Sequence, residues 1–286
     1  MEAYQADFLF FATGLIAGTI DAIAGGGGLM SLPVLLGLGL PPSLALGTNK
    51  LQSCCGTAVA ALSYYRRGWL NSQGLMSGLI FSAGGAILGA IAIQVSSNVF
   101  LKQIIPFILL FVFSYVVFCP RLGQQDEKPK MNLNLFYASL GLALGFYDGF
   151  LGPGVGGFWV FVLVYLLGYN LLKATAYTKV YNLNTNLIAL LCFAVGGNID
   201  YRIGVIMAAG QLIGGRVGAQ LAMKKGLYLI RPLFLVMMLA AIVTLIYRNN
   251  SAWSTLYQWS FAIILMGITV MYVWQMKKQI MIKRGS

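Results

Sequence analysis

The 286-residue chain contains no histidine. Imidazole chemistry and the commonest metal-ligand sets are therefore excluded, and the commonest general base is missing. Charge is scarce as well: Asp, Glu, Lys and Arg make up 9% of the residues, and only seven are acidic. Cysteine is limited to Cys54, Cys55, Cys119 and Cys192. Their spacing fits neither a metal site nor a redox pair, so they read as small packing residues. No metal and no cofactor are expected.

What the sequence has in abundance is apolar surface. Hydrophobic residues make up 59%, and the mean hydropathy is +0.80, values that describe an integral membrane protein. A net charge of +12 would suggest nucleic acid in a soluble protein. Here the basic residues sit in short loops and at the carboxyl end, as the positive-inside rule requires, and nucleic acid is not an expected partner. The amino terminus carries Glu2 and Asp7 and no basic residue. It lacks the basic start of a cleaved signal peptide, so the first helix is expected to stay.

Apolar segments read as 8–24, 28–38, 43–65, 73–94 and 102–118, then 134–151, 155–167, 174–196, 203–223 and 231–247, with one more at 254–275. The two sets superpose. Asp21 matches Asp148 at an offset of 127 residues, Gly39 matches Gly168 and Lys50 matches Lys179 at 129, and Gly84-Gly85 matches Gly214-Gly215 at 130. The expected organisation is a first transmembrane repeat over 1–118, a cytoplasmic linker over 119–133 and a second repeat over 134–247. An extra helix with a basic tail follows over 248–286.

Each repeat is interrupted early by glycine. The first break is Gly25, Gly26, Gly27 and Gly28; the second contains Gly152, Gly154 and Gly156. Glycine is about 1 kcal/mol poorer than alanine in a helix, so both helices should break there. A break at membrane depth must be buried in protein or line a wet cavity, and paired interrupted segments point to a transporter's binding site.

Charge placement decides how each broken segment crosses. If it folds back as a hairpin, Arg66, Arg67, Arg121, Lys128, Lys130, Lys173, Lys224, Lys225 and Arg231 are cytoplasmic, against Lys102, Arg202 and Arg248 outside. This nine-to-three split favours the hairpin. The amino terminus then lies outside, the carboxyl terminus is cytoplasmic, and the repeats are inverted. The expected fold is an all-α polytopic membrane protein. It is an inverted repeat of two helical bundles, each starting with a glycine-broken hairpin, plus one extra carboxyl-terminal helix.

Lys50 and Lys179 stand at matching positions that approach the midplane, where a lysine is a functional hypothesis by default. The bland alternative is that they snorkel to the nearer interface. Thr175, Lys179, Asn182 and Asn186 form one polar stripe, and Asn49, Lys50, Gln52, Ser53 and Thr57 a thinner one. Arg216, whose counterpart is Ala86, offers a fork suited to oxyanions, or else pairs with Asp148 or Asp21. Those two carboxylates could bind a coupling proton, pair with a lysine or cap a half-helix. Free N–H groups at the glycine breaks suit an anion. Gly78, Ser82, Gly85 and Gly89, and Gly210, Gly214 and Gly218, read as packing seams.

The stretch Gly18-Thr19-Ile20-Asp21 through Gly28, then Thr48-Asn49-Lys50-Leu51-Gln52, and Gly145-Phe146-Tyr147-Asp148-Gly149-Phe150 with Gly152-Pro153-Gly154 resemble the TauE/SafE family. The resemblance covers nearly the whole chain. It implies a secondary transporter of a small sulfur-containing oxyanion in the inner membrane, with the glycine breaks and the Asn49, Lys50 and Lys179 region at its centre. The expected partners are a small anion, the lipid bilayer and a coupling proton or sodium ion, with a homodimer as one admissible assembly. Two rivals remain: an anion channel with the same basic centre, and an intramembrane Ser-Lys hydrolase built from Ser53 and Lys50.

Overall fold

The computed structural model describes residues 3–70, 74–97 and 126–225. The segments expected at 102–118, 231–247 and 254–275, with the basic tail, lie outside the described residues. Among the described residues the chain is helical, without strands. The helices are α1 (Ala3–Ala24), α2 (Gly27–Gly37), α3 (Pro42–Tyr65), α4 (Leu75–Gln94), α5 (Leu133–Phe136), α6 (Leu142–Phe150), α7 (Val155–Leu167), α8 (Leu171–Val195) and α9 (Tyr201–Lys225). A π-helical turn, Tyr137–Gly141, joins α5 to α6. The single segment expected over 134–151 is therefore interrupted, while the other boundaries differ from expectation by a few residues.

Local chemistry sets several ends. Asn170 caps α8 through its side-chain oxygen, which accepts from the Lys173 N–H at 3.0 Å, and Asn132 does the same for Asn134 at 2.9 Å. Helix α7 starts after Gly154 and ends before Gly168, both left-handed. Helices α2 and α7 hold 11 and 13 residues, about 16 and 20 Å at 1.5 Å per residue, too short to cross a bilayer alone. The stretches Tyr4–Ile23 and Leu75–Gln94 are long and apolar enough to cross.

Packing exchanges partners between the two sets. Helix α1 packs most extensively against α9, and α6 against α4. Both interfaces bring backbone onto backbone through glycine. A Cβ on Gly210 would stand 2.6 Å from the Leu15 nitrogen, and one on Gly85 2.6 Å from the Phe146 nitrogen. The expected seams are thus close-contact lines, with no room for a larger side chain. Helices α3 and α8 pack on each other between these layers.

The interior is polar where the outside is not. Thr48, Asn49, Lys50, Gln52, Thr175, Thr178, Lys179, Asn182, Thr185 and Asn186 are all buried in α3 and α8, whereas Ile80, Leu88 and Ile91 of α4 and Val205, Ile213 and Val217 of α9 are exposed. An apolar rim around a polar centre fits lipid outside and a polar site within. An aromatic cluster fills the second half, with the Tyr181 hydroxyl donating to that of Tyr137 at 2.6 Å and Trp159 beside Tyr181.

Outside the apolar layer, Asp126 ties the linker to the start of α8. It accepts from the Asn170 backbone N–H at 2.6 Å and from Lys173 Nζ at 3.2 Å. The backbone donor first, then the lysine, hold its carboxyl below the ordinary carboxylate value. A depressed pKa contributes stability above the unfolded value of about 4, and that contribution is lost as pH falls through the folded value. Protection of the Asn170 amide from hydrogen exchange, taken relative to the intrinsic rate at each pH, should therefore be high at neutral pH and fall below about pH 4, and Asp126→Ala should remove that dependence.

Candidate functional site

The site is made where the two glycine breaks meet. Helix α1 ends at a left-handed Gly25, whose N–H donates to the Asp21 carbonyl at 2.8 Å. Gly26 then opens α2 without a side-chain cap, and Asp21 Oδ1 accepts from the Gly27 N–H at 3.3 Å. In the second break, Gly152 and Gly154 are left-handed. The Tyr147 hydroxyl closes that turn by donating to the Pro153 carbonyl at 2.7 Å. The turns touch: a Cβ on Gly156 would lie 2.7 Å from the Gly25 carbonyl oxygen, and one on Gly28 3.5 Å from the Pro153 Cα.

The lysines do not snorkel. Lys50 and Lys179 are 1% and 0% exposed, and each reaches a carboxylate of the other half. Lys50 Nζ donates to Asp148 Oδ1 at 2.5 Å, to the Asp148 carbonyl and to Asn186 Oδ1 at 3.0 Å. Lys179 Nζ donates to the Asp21 carbonyl and stands 3.4 Å from Asp21 Oδ2. Of the roles open to the carboxylates, pairing with lysine is therefore seen for both. Asp21 also takes the capping role at Gly27.

Amides complete the ring. Asn49 Oδ1 accepts from Ser31 Oγ at 2.5 Å and from Gln52 Nε2 at 2.9 Å. Gln52 Oε1, Asn182 Oδ1 and Thr178 Oγ1 are buried without a hydrogen-bond partner. A cavity of about 20 Å³ lies at the junction, lined by Asp21, Gly25, Gly28, Asn49, Lys50, Ser53, Asp148, Gly152, Gly154, Val155, Asn182 and Asn186. That is room for about one water molecule. The geometry is that of a narrow, charge-neutral centre with unused hydrogen-bonding capacity.

Of the expected site residues, Gly25, Gly28, Asn49, Lys50, Gly152, Gly154, Asn182, Asp21 and Asp148 line the cavity. Gly26, Gly27 and Gly156 are buried in the walls, Gln52 lies behind Asn49 and Lys179 behind Asp21. Arg216 is not brought to them. It is exposed, on the face of α9 turned away from Gly214 and Gly218, which meet α1. Arg216→Gln should consequently leave anion flux in liposomes within about twofold of the parent, because an exposed substitution away from packed features changes little.

Two contributors, Thr185 and Ser31, escaped the sequence reading, and a third, Asn186, was named only within the polar stripe. Thr185 donates to Asp148 Oδ2, Asn186 accepts from Lys50, and Ser31 holds Asn49. Asn186 was visible as the end of the polar stripe; Ser31 is a single hydroxyl in an apolar run and gave little sign. Lys50 is turned to Asp148 and Asn186 rather than to Ser53, which argues against the Ser-Lys hydrolase.

The sequence matches the family model described as "Sulfite exporter TauE/SafE" over residues 10–245. It is 41% identical over 242 residues to a probable membrane transporter protein of Haemophilus influenzae, covering 85% of this chain and 95% of that one. It is 40% identical over 239 residues to the probable membrane transporter protein ORF9 of a Sinorhizobium species, covering 84% and 91%. It is 37% identical over 242 residues to the probable membrane transporter protein YfcA of Escherichia coli K12, covering 85% and 90%. No solved structure matches the chain. With the family match running through both buried lysines and the two glycine breaks, the chain belongs to the TauE/SafE family of membrane transporters and is not an enzyme.

Proposed function

We propose that the protein is a secondary carrier that moves a small oxyanion, such as sulfite, a sulfonate like sulfoacetate or a related sulfur-containing anion, across the inner membrane by alternating access. The observation that carries this reading is the pair of buried lysines at the junction of the two glycine breaks, each neutralised by a carboxylate from the other half. Intramembrane cations of this kind mark ion pathways. Lys50 and Lys179 supply positive charge, Asn49, Gln52 and Asn182 hydrogen bonds, and the glycine turns backbone N–H groups. Arg216 is left out of this set.

The order of elements supports a repeat of two halves, each a helical segment, a short helix after a glycine break, a long helix bearing the lysine and a further long helix, and the distribution of basic residues supports its inversion. In this arrangement the amino terminus faces outside and the carboxyl terminus the cytoplasm. In this reading, access to the junction alternates as one half rocks against the other. The purified protein in liposomes, given labelled sulfite, thiosulfate, sulfate, sulfoacetate and taurine, should show saturable uptake of at least one anion and counterflow from vesicles preloaded with it. Fast, non-saturating flux without counterflow would instead identify an anion channel.

A further inference from the structure

The two ion pairs are unequal. An ammonium has three N–H donors, and Lys50 spends all of them on the Asp148 carbonyl, Asp148 Oδ1 and Asn186. Asp148 is held on both oxygens, the second by Thr185, and is 2% exposed. Lys179 reaches only the Asp21 carbonyl and, at 3.4 Å, Asp21 Oδ2. That distance is well beyond a charge-assisted hydrogen bond, and one donor is left over. Asp21 Oδ1 receives a single bond of 3.3 Å from Gly27, and its side chain is 12% exposed and lines the cavity.

The inequality has a local cause. The counterpart of Thr185 at the 129-residue offset is Gly56, which has no hydroxyl to donate. The space its side chain would fill is taken by the Gln211 amide, whose two polar atoms have no hydrogen-bond partner. Asp21 therefore lacks the hydroxyl anchor that Asp148 has and keeps only the long bond from Gly27 in its place.

Charge balance gives this looseness a consequence. Lys50, Lys179, Asp21 and Asp148 sum to zero, so an anion entering alone would leave an uncompensated buried charge, which is costly. A proton arriving with it keeps the centre neutral. We propose that Asp21 is where that proton binds. Protonation of its carboxylate releases the Lys179 ammonium, which then holds the anion together with Asn182 and Asn49, so that proton and anion move one to one. Lys50 stays paired with Asp148 throughout and acts on the anion through its field rather than by a hydrogen bond. This rests on the anion-carrier reading above and adds the coupling ion and its site.

Among the described residues, other ionisable groups do not compete for the role. Lys179 from α8 bonds Asp21, and Lys50 from α3 and Asp148 from α6 share its cavity; Cys54 of α3 lies beside that second pair, and the Tyr64 hydroxyl donates to the neighbouring Ala22 carbonyl at 3.3 Å. A thiol and a phenol are ordinarily uncharged at neutral pH. Helix α2 has no ionisable residue, α7 has only the exposed Tyr165, and Tyr201, Arg202, Arg216 and Lys224 of α9 are exposed.

The test is calorimetric titration of the purified full-length protein with sulfite, thiosulfate and methanesulfonate, in two buffers of different ionisation enthalpy. The parent should take up about one proton more per anion than Asp21→Asn; any ionisation of the anion itself is common to both proteins and cancels. Equal proton counts overturn the proposal. So does loss of the extra proton in Asp148→Asn with its retention in Asp21→Asn. A second measurement needs no variant: the infrared difference spectrum of the parent on binding the anion should gain a protonated-carboxyl band, and its absence overturns the proposal. Absence of binding for all three anions would defeat the carrier reading itself, whereas binding without the extra proton defeats only the coupling.

Discussion

Lys50→Met is expected to stop anion flux in liposomes and to destabilise the protein by about 3–5 kcal/mol, the cost of leaving one member of a buried pair alone. The stranded group is Asp148, 2% exposed, with its second oxygen held by Thr185. Replacing both members, as Lys50→Met with Asp148→Leu, should recover much of that stability because no lone charge remains, yet flux should stay absent. Lys179→Met should also abolish flux with a smaller loss of stability, since Asp21 is less tightly held and partly exposed. Thermal unfolding in detergent separates fold from transport in all three. Normal flux in the Lys50→Met, Lys179→Met double variant would remove the lysines from the mechanism.

The second large effect belongs to the meeting of the glycine turns. Gly25→Ala faces two penalties: a left-handed residue at φ +72, which costs a side chain about 1–2 kcal/mol, and a Cβ driven onto the Gly156 backbone. Gly39 supplies the control, because it too is left-handed, at φ +97, but has nothing within 4 Å of a Cβ. Gly39→Ala should lose about 1–2 kcal/mol of stability and keep its flux. Gly25→Ala should lose more than about tenfold in flux, for which a barrier increase of only about 1.4 kcal/mol is sufficient. Equal behaviour of the two variants would mean that close approach of the turns is unimportant.

Much of this centre was legible in the sequence because its signals are local. A glycine tract four residues after an aspartate, repeated in the second half, located both breaks, and a lysine at the same offset in each half located both cations. What was not legible is which lysine meets which carboxylate. The exchange across halves depends on α3 packing against α8, a contact between segments that share no sequence proximity.

Arg216 was misplaced for a different reason. Its depth in an apolar segment suggested the interior, but depth along a helix does not fix the face. Gly210, Gly214 and Gly218 already marked the packed side of α9, with Met207, Gln211 and Ala222 buried on it as well. Arg216 falls outside that periodicity, and the seam should have outweighed the segment. The π-helical turn at Tyr137–Gly141 left no such trace, because a one-residue change of helical phase is set by packing rather than by composition.

The crossed pairs also bear on how the chain is made. Lys50 emerges from the ribosome 98 residues before Asp148, so the earlier segments enter the membrane with a cation whose counter-charge has not yet been synthesised. The charge on α3 is compensated within the chain only when α6 arrives. Truncation before residue 148 is therefore expected to strand Lys50 without its counter-charge, which limited proteolysis of the truncated chain in membranes would report as easier cleavage.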